Sequence, residues 1–192
     1  MRRIVVGLVL AAASAVPATA APVAVGDVLV PFSLKNYDGK EVSLASLQGK
    51  KAVVLAFVAT RCPVSNSYNE RMAAIATEYG AKGVAFVGLN ANKEETPAEV
   101  AEHAKAHGLA FPILKDEGNV RADAFGAQVT PEVYVYDPTW TLRYHGRIDD
   151  DMRGQHVTSH DLRNALEALL AGKDVPVKET KAFGCSIKRV AN

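Results

Sequence analysis

The sequence predicts an α/β domain with a mixed central sheet, helices on both faces and an N-terminal β-hairpin. Three observations carry this reading. Continuous apolar runs at 52–59 and 83–89 have the length of strands buried on both faces. Each is followed by a stretch of helical periodicity, and strand–helix–strand alternation makes neighbouring strands parallel. Late in the chain two apolar runs are joined by a short turn with Asp137-Pro138-Thr139-Trp140, which adds an antiparallel edge. With 192 residues, 48% of them apolar and 22% charged, the chain has the size and composition of one domain with a full core.

Taken in order, Phe32-Ser33-Leu34 and Val42-Ser43-Leu44 flank Asn36-Tyr37-Asp38-Gly39, whose Asp-Gly step marks the hairpin turn. Residues 45–51 form a polar connection and 52–59 the first buried strand. A helix is expected over 64–79, with Met72, Ile75, Ala76 and Tyr79 on one stripe and Gly80 and Gly83 at its stop. The second buried strand follows at 83–89. Thr96-Pro97-Ala98-Glu99 opens the next helix: Thr96 caps, Pro97 suits the first helical position, and Glu99 completes a capping box. That helix ends at His107-Gly108. A short strand at 111–114, a short helix at 119–125, and strands at 133–136 and 142–145 come next. Ser159 is expected to cap a last helix over 161–170, closed by Gly172. Residues 173–192 are a tail without periodicity.

The N-terminus has a different character. Met1-Arg2-Arg3, an apolar alanine-rich run over 4–16, and Ala18-Thr19-Ala20 make a secretory signal pattern over 1–20, with cleavage expected after Ala20. The alternative is an uncleaved anchor, although the run is short for a spanning helix. The expected organisation is a leader at 1–20, a domain at 21–172 and a tail at 173–192. The protein is then exported, periplasmic or secreted, where disulfides persist. A net charge of +1 gives no electrostatic case for nucleic acid, or for a membrane surface beyond the export signal.

The chemistry centres on Phe57 to Ser65, FVATRCPVS. Cys62 stands between a buried strand and the start of a helix, followed at once by Pro63. Backbone N–H groups and the helix dipole there favour an anion, which lowers a thiol pKa and yields thiolate. A second cysteine three residues on would complete a dithiol motif, but that position holds Ser65. The one other cysteine is Cys185 in the tail, so dithiol chemistry within one chain joins Cys62 to Cys185.

The segment AFVATRCPVS resembles the strand and active site of exported thioredoxin-like proteins of the cytochrome-maturation type, whose segment ends in Cys-Pro-x-Cys. Val129-Thr130-Pro131-Glu132 is similar to that fold's cis-proline loop, and residues 142–149, LRYHGRID, to its last strand. The nearest group is the redoxin family, also called alkyl hydroperoxide reductase and thiol-specific antioxidant. Within it, Gly184-Cys185-Ser186-Ile187-Lys188 resembles the C-terminal motif of an exported peroxiredoxin-like subgroup. The resemblance covers 25–188. It implies a thioredoxin-like fold, Cys62 as nucleophile, Cys185 as resolving cysteine, Pro131 as a functional cis-proline, no cofactor, and a disulfide or peroxide substrate with a thiol reductant. Thr60, Arg61, Pro63, Ser65, Thr130, Pro131 and Glu132 are the supporting residues. Two positions depart from the family. Ser65 removes a local disulfide, and Ala59 stands where peroxiredoxins carry threonine, so the peroxide-binding set is not reproduced.

Other residues have bland readings beside sharp ones. Glu132 reads equally as a proton acceptor near Cys62 and as a solvated strand-end carboxylate. Arg61 can stabilise thiolate, meet an acidic partner, or be a solvated surface arginine. Asp149-Asp150-Asp151 reads as a solvated loop. His103 and His107 share a helix face and His156 and His160 share the spacing, but neither pair has a third ligand, so no metal is expected. Val58 stands where copper-delivery relatives on this fold carry their first cysteine. Two functions remain open: a thiol-dependent oxidoreductase, or a non-enzymatic binding or structural module whose Cys62–Cys185 bond is permanent.

Overall fold

The computed structural model describes residues 21–191, and the leader expected over 1–20 lies outside the described residues. The hairpin is Ser33–Lys35 (β1) paired antiparallel with Glu41–Ser43 (β2), Ser33 opposite Ser43. Gly39, at φ 81°, closes its turn with an N–H donated to the Asn36 carbonyl at 2.9 Å. The polar connection begins with a 3₁₀ turn, Leu44–Leu47.

The main sheet has five strands. Ala52–Phe57 (β3) is central and buried at all six positions. After the helices Pro63–Ser67 (α1) and Asn69–Gly80 (α2) comes Val84–Asn90 (β4), parallel to β3, and after Pro97–Ala106 (α3) comes Ile113–Lys115 (β5), parallel to β4. Val120–Phe125 (α4) leads to a two-residue strand, Val129–Thr130 (β6). Glu132–Tyr136 (β7) then pairs antiparallel with β3, and Leu142–Gly146 (β8) with β7. The order across the sheet is β5-β4-β3-β7-β8. Asp161–Leu170 (α5) follows, and the tail contributes Cys185–Ser186 (β9), antiparallel to β6 with Thr130 opposite Cys185.

Strand periodicity divides the apolar residues between two cores. Ala52, Val54 and Ala56 face Met72, Ile75 and Tyr79 of α2, Val100 and Ala104 of α3, and Leu162, Ala165 and Leu166 of α5. Val53, Leu55 and Phe57 face Ala122 and Phe125 of α4, Phe32 and Leu44 from the hairpin region, and Trp140. A strand with an apolar residue at every position is therefore covered on both sides. The fold is an α/β thioredoxin-like fold with a mixed sheet and an N-terminal hairpin.

Three expectations are corrected. The helix over 64–79 is two helices, broken at Tyr68 (φ −96°, ψ −5°). There the Ser67 hydroxyl turns back onto the Val64 carbonyl at 2.7 Å and also reaches the Met152 carbonyl, competing with the helical ladder. Ser159 does not cap α5. The residue before the helix is His160, and the Ser159 hydroxyl donates to the Asp161 carboxylate at 2.8 Å. The acidic run is not a solvated loop. Asp149 is buried, accepting from the Tyr68 hydroxyl (2.9 Å) and pairing with Arg71 (2.6 Å). Asp150 and Asp151 each accept backbone N–H groups within 153–159 and so shape that loop.

The tail is built into the molecule. Val175 and Ile187 are buried, and residues 178–180 bond to the His145 backbone along the β8 edge. Gly146, at φ 149°, lies against Thr180 so closely that a Cβ would collide with it. The glycine thus admits the tail beside the sheet. Among the described residues no helix is long and apolar enough to cross a membrane.

Candidate active site

Strand β3 carries the chain across the core and ends at Phe57, five residues before Cys62. Cys62 (φ −89°, ψ 114°) is the N-cap of α1, with Pro63 at the first helical position. An N-cap normally offers oxygen to the exposed N–H groups of the first turn. Here the acceptor is sulfur: the Ser65 N–H points at Cys62 Sγ at 3.2 Å. Because α1 has only five residues, this local N–H is the specific anion-favouring element.

Cys62 and Cys185 form a disulfide, with Cα atoms 5.8 Å apart and a sequence separation of 123. The two residues differ in exposure. Cys62 is 3% exposed, whereas Cys185 is partly exposed. Cys62 Sγ also lies 3.3 Å from the Thr130 carbonyl. The Thr130–Pro131 bond is cis, and this loop supplies β6, the strand on which β9 lies. Gly184 packs against the Thr130 carbonyl so tightly that a Cβ would collide with it. No other residue type could bring Cys185 to this place without moving backbone.

Each supporting residue has a definite place. The Ser65 hydroxyl is fully buried and accepts the Ala59 N–H at 3.1 Å, closing the turn between β3 and α1. The position where a second cysteine would stand is thus a structural hydrogen bond. The Thr60 carbonyl accepts from the Asn66 amide at 2.9 Å. The Thr60 and Thr130 hydroxyls are both buried with no hydrogen-bond partner among the described residues. The Arg61 guanidinium pairs with Glu99 on α3.

Glu132 is buried rather than solvated. Its carboxylate accepts from the Gln128 N–H (2.8 Å), the Val129 N–H (3.2 Å), the Tyr134 hydroxyl (3.1 Å) and His145 Nε2 (2.6 Å). Both oxygens are occupied by these donors, which hold the start of β6, and none of the contacts is to a sulfur. Burial pushes its pKa up, but His145 and the two backbone N–H groups outweigh that and hold it below the usual value.

A second buried carboxylate, Glu95, was not singled out from the sequence. It accepts from the backbone N–H groups of Thr60 (2.9 Å) and Arg61 (3.0 Å), immediately before Cys62. Burial again raises its pKa, and these donors with the Asn90 and Asn92 amides bring it below the ordinary range. Its one signal in the sequence is its place directly before the Thr96 cap.

His103 and His107 lie ring to ring at 4.4 Å, and His103 Nε2 faces the Asn69 amide at 3.0 Å. Burial, then the neighbouring His107, pushes the His103 pKa down. Among the described residues no three His, Cys, Asp or Glu side chains gather as metal ligands.

Residues 25–145 match the model of the AhpC/TSA family, and the chain belongs to that family. It is 32% identical over 123 residues to the thiol-disulfide oxidoreductase ResA of Halalkalibacterium halodurans, covering 64% of this chain and 65% of that protein. It is 30% identical over 130 residues to the chloroplastic peroxiredoxin Q of Gentiana triflora, covering 64% and 58%. The chain thus spans less than two thirds of the length of either relative. Among solved structures, a hypothetical protein of Sinorhizobium meliloti 1021 superposes with a TM-score of 0.83 at 36% identity, covering 90% of this chain and 98% of that one.

Proposed function

We propose that this AhpC/TSA member is an exported thiol-dependent oxidoreductase in which Cys62 is the nucleophile and Cys185 the resolving cysteine. The observation that carries the reading is the unequal setting of the two sulfurs. Cys62 is buried at an N-cap with an N–H directed at it, so it is the better thiolate and the better leaving group. Cys185 is bonded to it from a tail strand and is the more exposed residue of the two.

The cycle follows from that asymmetry. A reductant thiolate attacks Cys185 Sγ, the disulfide breaks, and Cys62 leaves as thiolate. A second reductant thiol then releases Cys185. Cys62 next attacks a substrate disulfide, displacing one thiolate and forming a mixed disulfide. Cys185 thiolate attacks Cys62 Sγ, restoring the internal bond and releasing the second substrate thiol. With a peroxide, Cys62 takes one oxygen as sulfenic acid and releases an alcohol or water, and condensation with Cys185 releases water. Either way the substrate gains the two electrons that the reductant supplied.

The finer placement belongs to the same reading: a peroxiredoxin-like subgroup marked by Gly184 to Lys188, with a leader at 1–20, a domain at 21–172 and a tail at 173–192. Export is supported by the Ala18-Thr19-Ala20 pattern and by a disulfide that suits an oxidising compartment. The ordered seating of the tail favours the static module as a second reading.

A redox titration followed by alkylation separates the two. A bond in equilibrium with glutathione, together with a Cys62 that alkylates with a midpoint below the free-thiol value of about 8.5, supports the oxidoreductase. A potential far below about −300 mV and inert thiols after reduction support the static bridge.

A further inference from the structure

The turn after β4 grips both cysteine-bearing segments. On one side Glu95 accepts the Thr60 and Arg61 N–H groups, fixing the two residues that precede Cys62. On the other, Asn92 Oδ1 accepts the Lys188 N–H at 2.7 Å and the Lys93 N–H donates to the Lys188 carbonyl at 3.0 Å, fixing the tail three residues after Cys185. The two grips are one unit, because the Asn92 amide donates to Glu95 Oε1 at 3.0 Å and the Asn90 amide to Oε2 at 2.5 Å. Lys115 braces the turn from β5, its ammonium bonded to Asn90 Oδ1 (2.7 Å) and the Asn92 carbonyl (2.6 Å).

Glu95 is 2% exposed, and every contact to it is a donor. Only an ionised carboxylate presents acceptors alone on both oxygens. Bridging two segments that are far apart in sequence is more than a helix start needs, since the α3 cap is completed by Thr96 and Glu99.

We propose that Glu95, with Asn92, is a positioning residue for the disulfide. It acts through the Thr60–Arg61 backbone and the Lys188 backbone to hold Cys62 and Cys185 within bonding reach when both are thiols. This rests on the reading that the Cys62–Cys185 bond cycles. A geometry held in the reduced protein raises the effective concentration of one thiol at the other. Loosening it leaves the sulfur chemistry intact but makes the internal bond easier to reduce.

The test is the equilibrium of the folded, mature protein with reduced and oxidised glutathione. The protein disulfide plus two glutathione thiols gives the dithiol plus glutathione disulfide, read by alkylation and intact mass. Glu95→Gln should shift this equilibrium toward the dithiol by more than threefold. The expected scale is about tenfold, that of a lost charge-assisted hydrogen bond. Glu95→Asp, which keeps the charge with a shorter reach, should fall between Glu95→Gln and wild type. Asn92→Ala should shift the same way through the Lys188 side, and it decides the question if Glu95→Gln does not fold.

A residue that merely stabilises the fold would lower the melting temperature of the oxidised and reduced forms equally and leave the equilibrium within threefold of wild type. That result overturns the proposal. A wild-type bond that glutathione cannot open overturns the cycling reading itself, a distinct outcome that removes this inference with it.

Discussion

Cys62 and Cys185 meet in one bond but are held in different ways. Cys62 caps α1 just beyond a central strand buried on both faces, and the turn between them is closed from within by the Ala59 N–H donated to Ser65 and from the side by the Thr60 and Arg61 N–H groups donated to Glu95. Cys185 arrives on an appended segment held by a two-residue ladder, the close approach of Gly184 to the Thr130 carbonyl, the buried side chain of Ile187, and the backbone bonds of Lys188 to Asn92 and Lys93. Displacing Cys62 disturbs the core, whereas lifting Cys185 breaks a few peripheral contacts. In the proposed redox cycle the first segment is the fixed platform, and the movement falls on the short strand around Cys185 between its ties at Gly184 and Lys188. Local stability of this uneven kind is what allows one end of a disulfide to open while the fold stays intact.

Replacing each sulfur separates the two ends most strongly. Cys62→Ser should abolish reaction with a model disulfide or a peroxide. Cys185→Ser should retain the first step and accumulate a mixed disulfide or sulfenic acid on Cys62, seen by intact mass. Rapid reaction of Cys185 beside an inert Cys62 would reverse the assignment.

The next effect tests the movable end alone. Gly184→Ala places a methyl against the Thr130 carbonyl and should force the tail off β6, at a cost of about 1–3 kcal/mol typical of overpacking. Hydrogen exchange should rise over the tail and β6 while β3 and β4 stay protected. Uniform loss of protection across the sheet would show that tail and core unfold together.

At the fixed end, Ser65→Ala leaves the buried Ala59 N–H without its acceptor and should destabilise the fold by about 1–3 kcal/mol. The internal disulfide should still form in full. A tail released by this substitution would contradict the division into platform and strap.

The smallest effect is in pH. The Glu132 pKa is held below its unfolded value of 4.5 by His145 and the Gln128 and Val129 N–H groups, against the opposing pull of burial. A depressed carboxylate contributes stability that is complete above its unfolded pKa and is lost as pH falls through the folded one. Acidification below 4.5 should therefore loosen β6 and, with it, the seat of β9. Glu132→Gln should flatten that acid limb in a melting series, and an unchanged limb would remove Glu132 as the anchor. Glu95 is depressed in the same direction, so the double variant should flatten the limb further.

Much of this protein was determined by local sequence. The apolar run of β3 fixed a strand covered on both sides, Thr96-Pro97-Ala98-Glu99 encoded a complete capping box, and the Asp-Gly step set the hairpin. Cys62 was legible as an N-cap sulfur because its neighbours in sequence are its neighbours in space. The helix break at Tyr68 was not legible, because it depends on Met152 and Asp149, more than eighty residues away. Nor were the burial of Glu132 and the role of Glu95. A glutamate reads as solvated until its donors are known, and these donors are backbone N–H groups and side chains brought in by other segments. The tail carried no periodicity because its order comes from single contacts, with Gly184 at Thr130, Ile187 in the core and Lys188 on Asn92, rather than from a repeating face. Sequence fixes what depends on neighbours along the chain. The environment of a buried polar group depends on neighbours through space, and only the tertiary structure decided that.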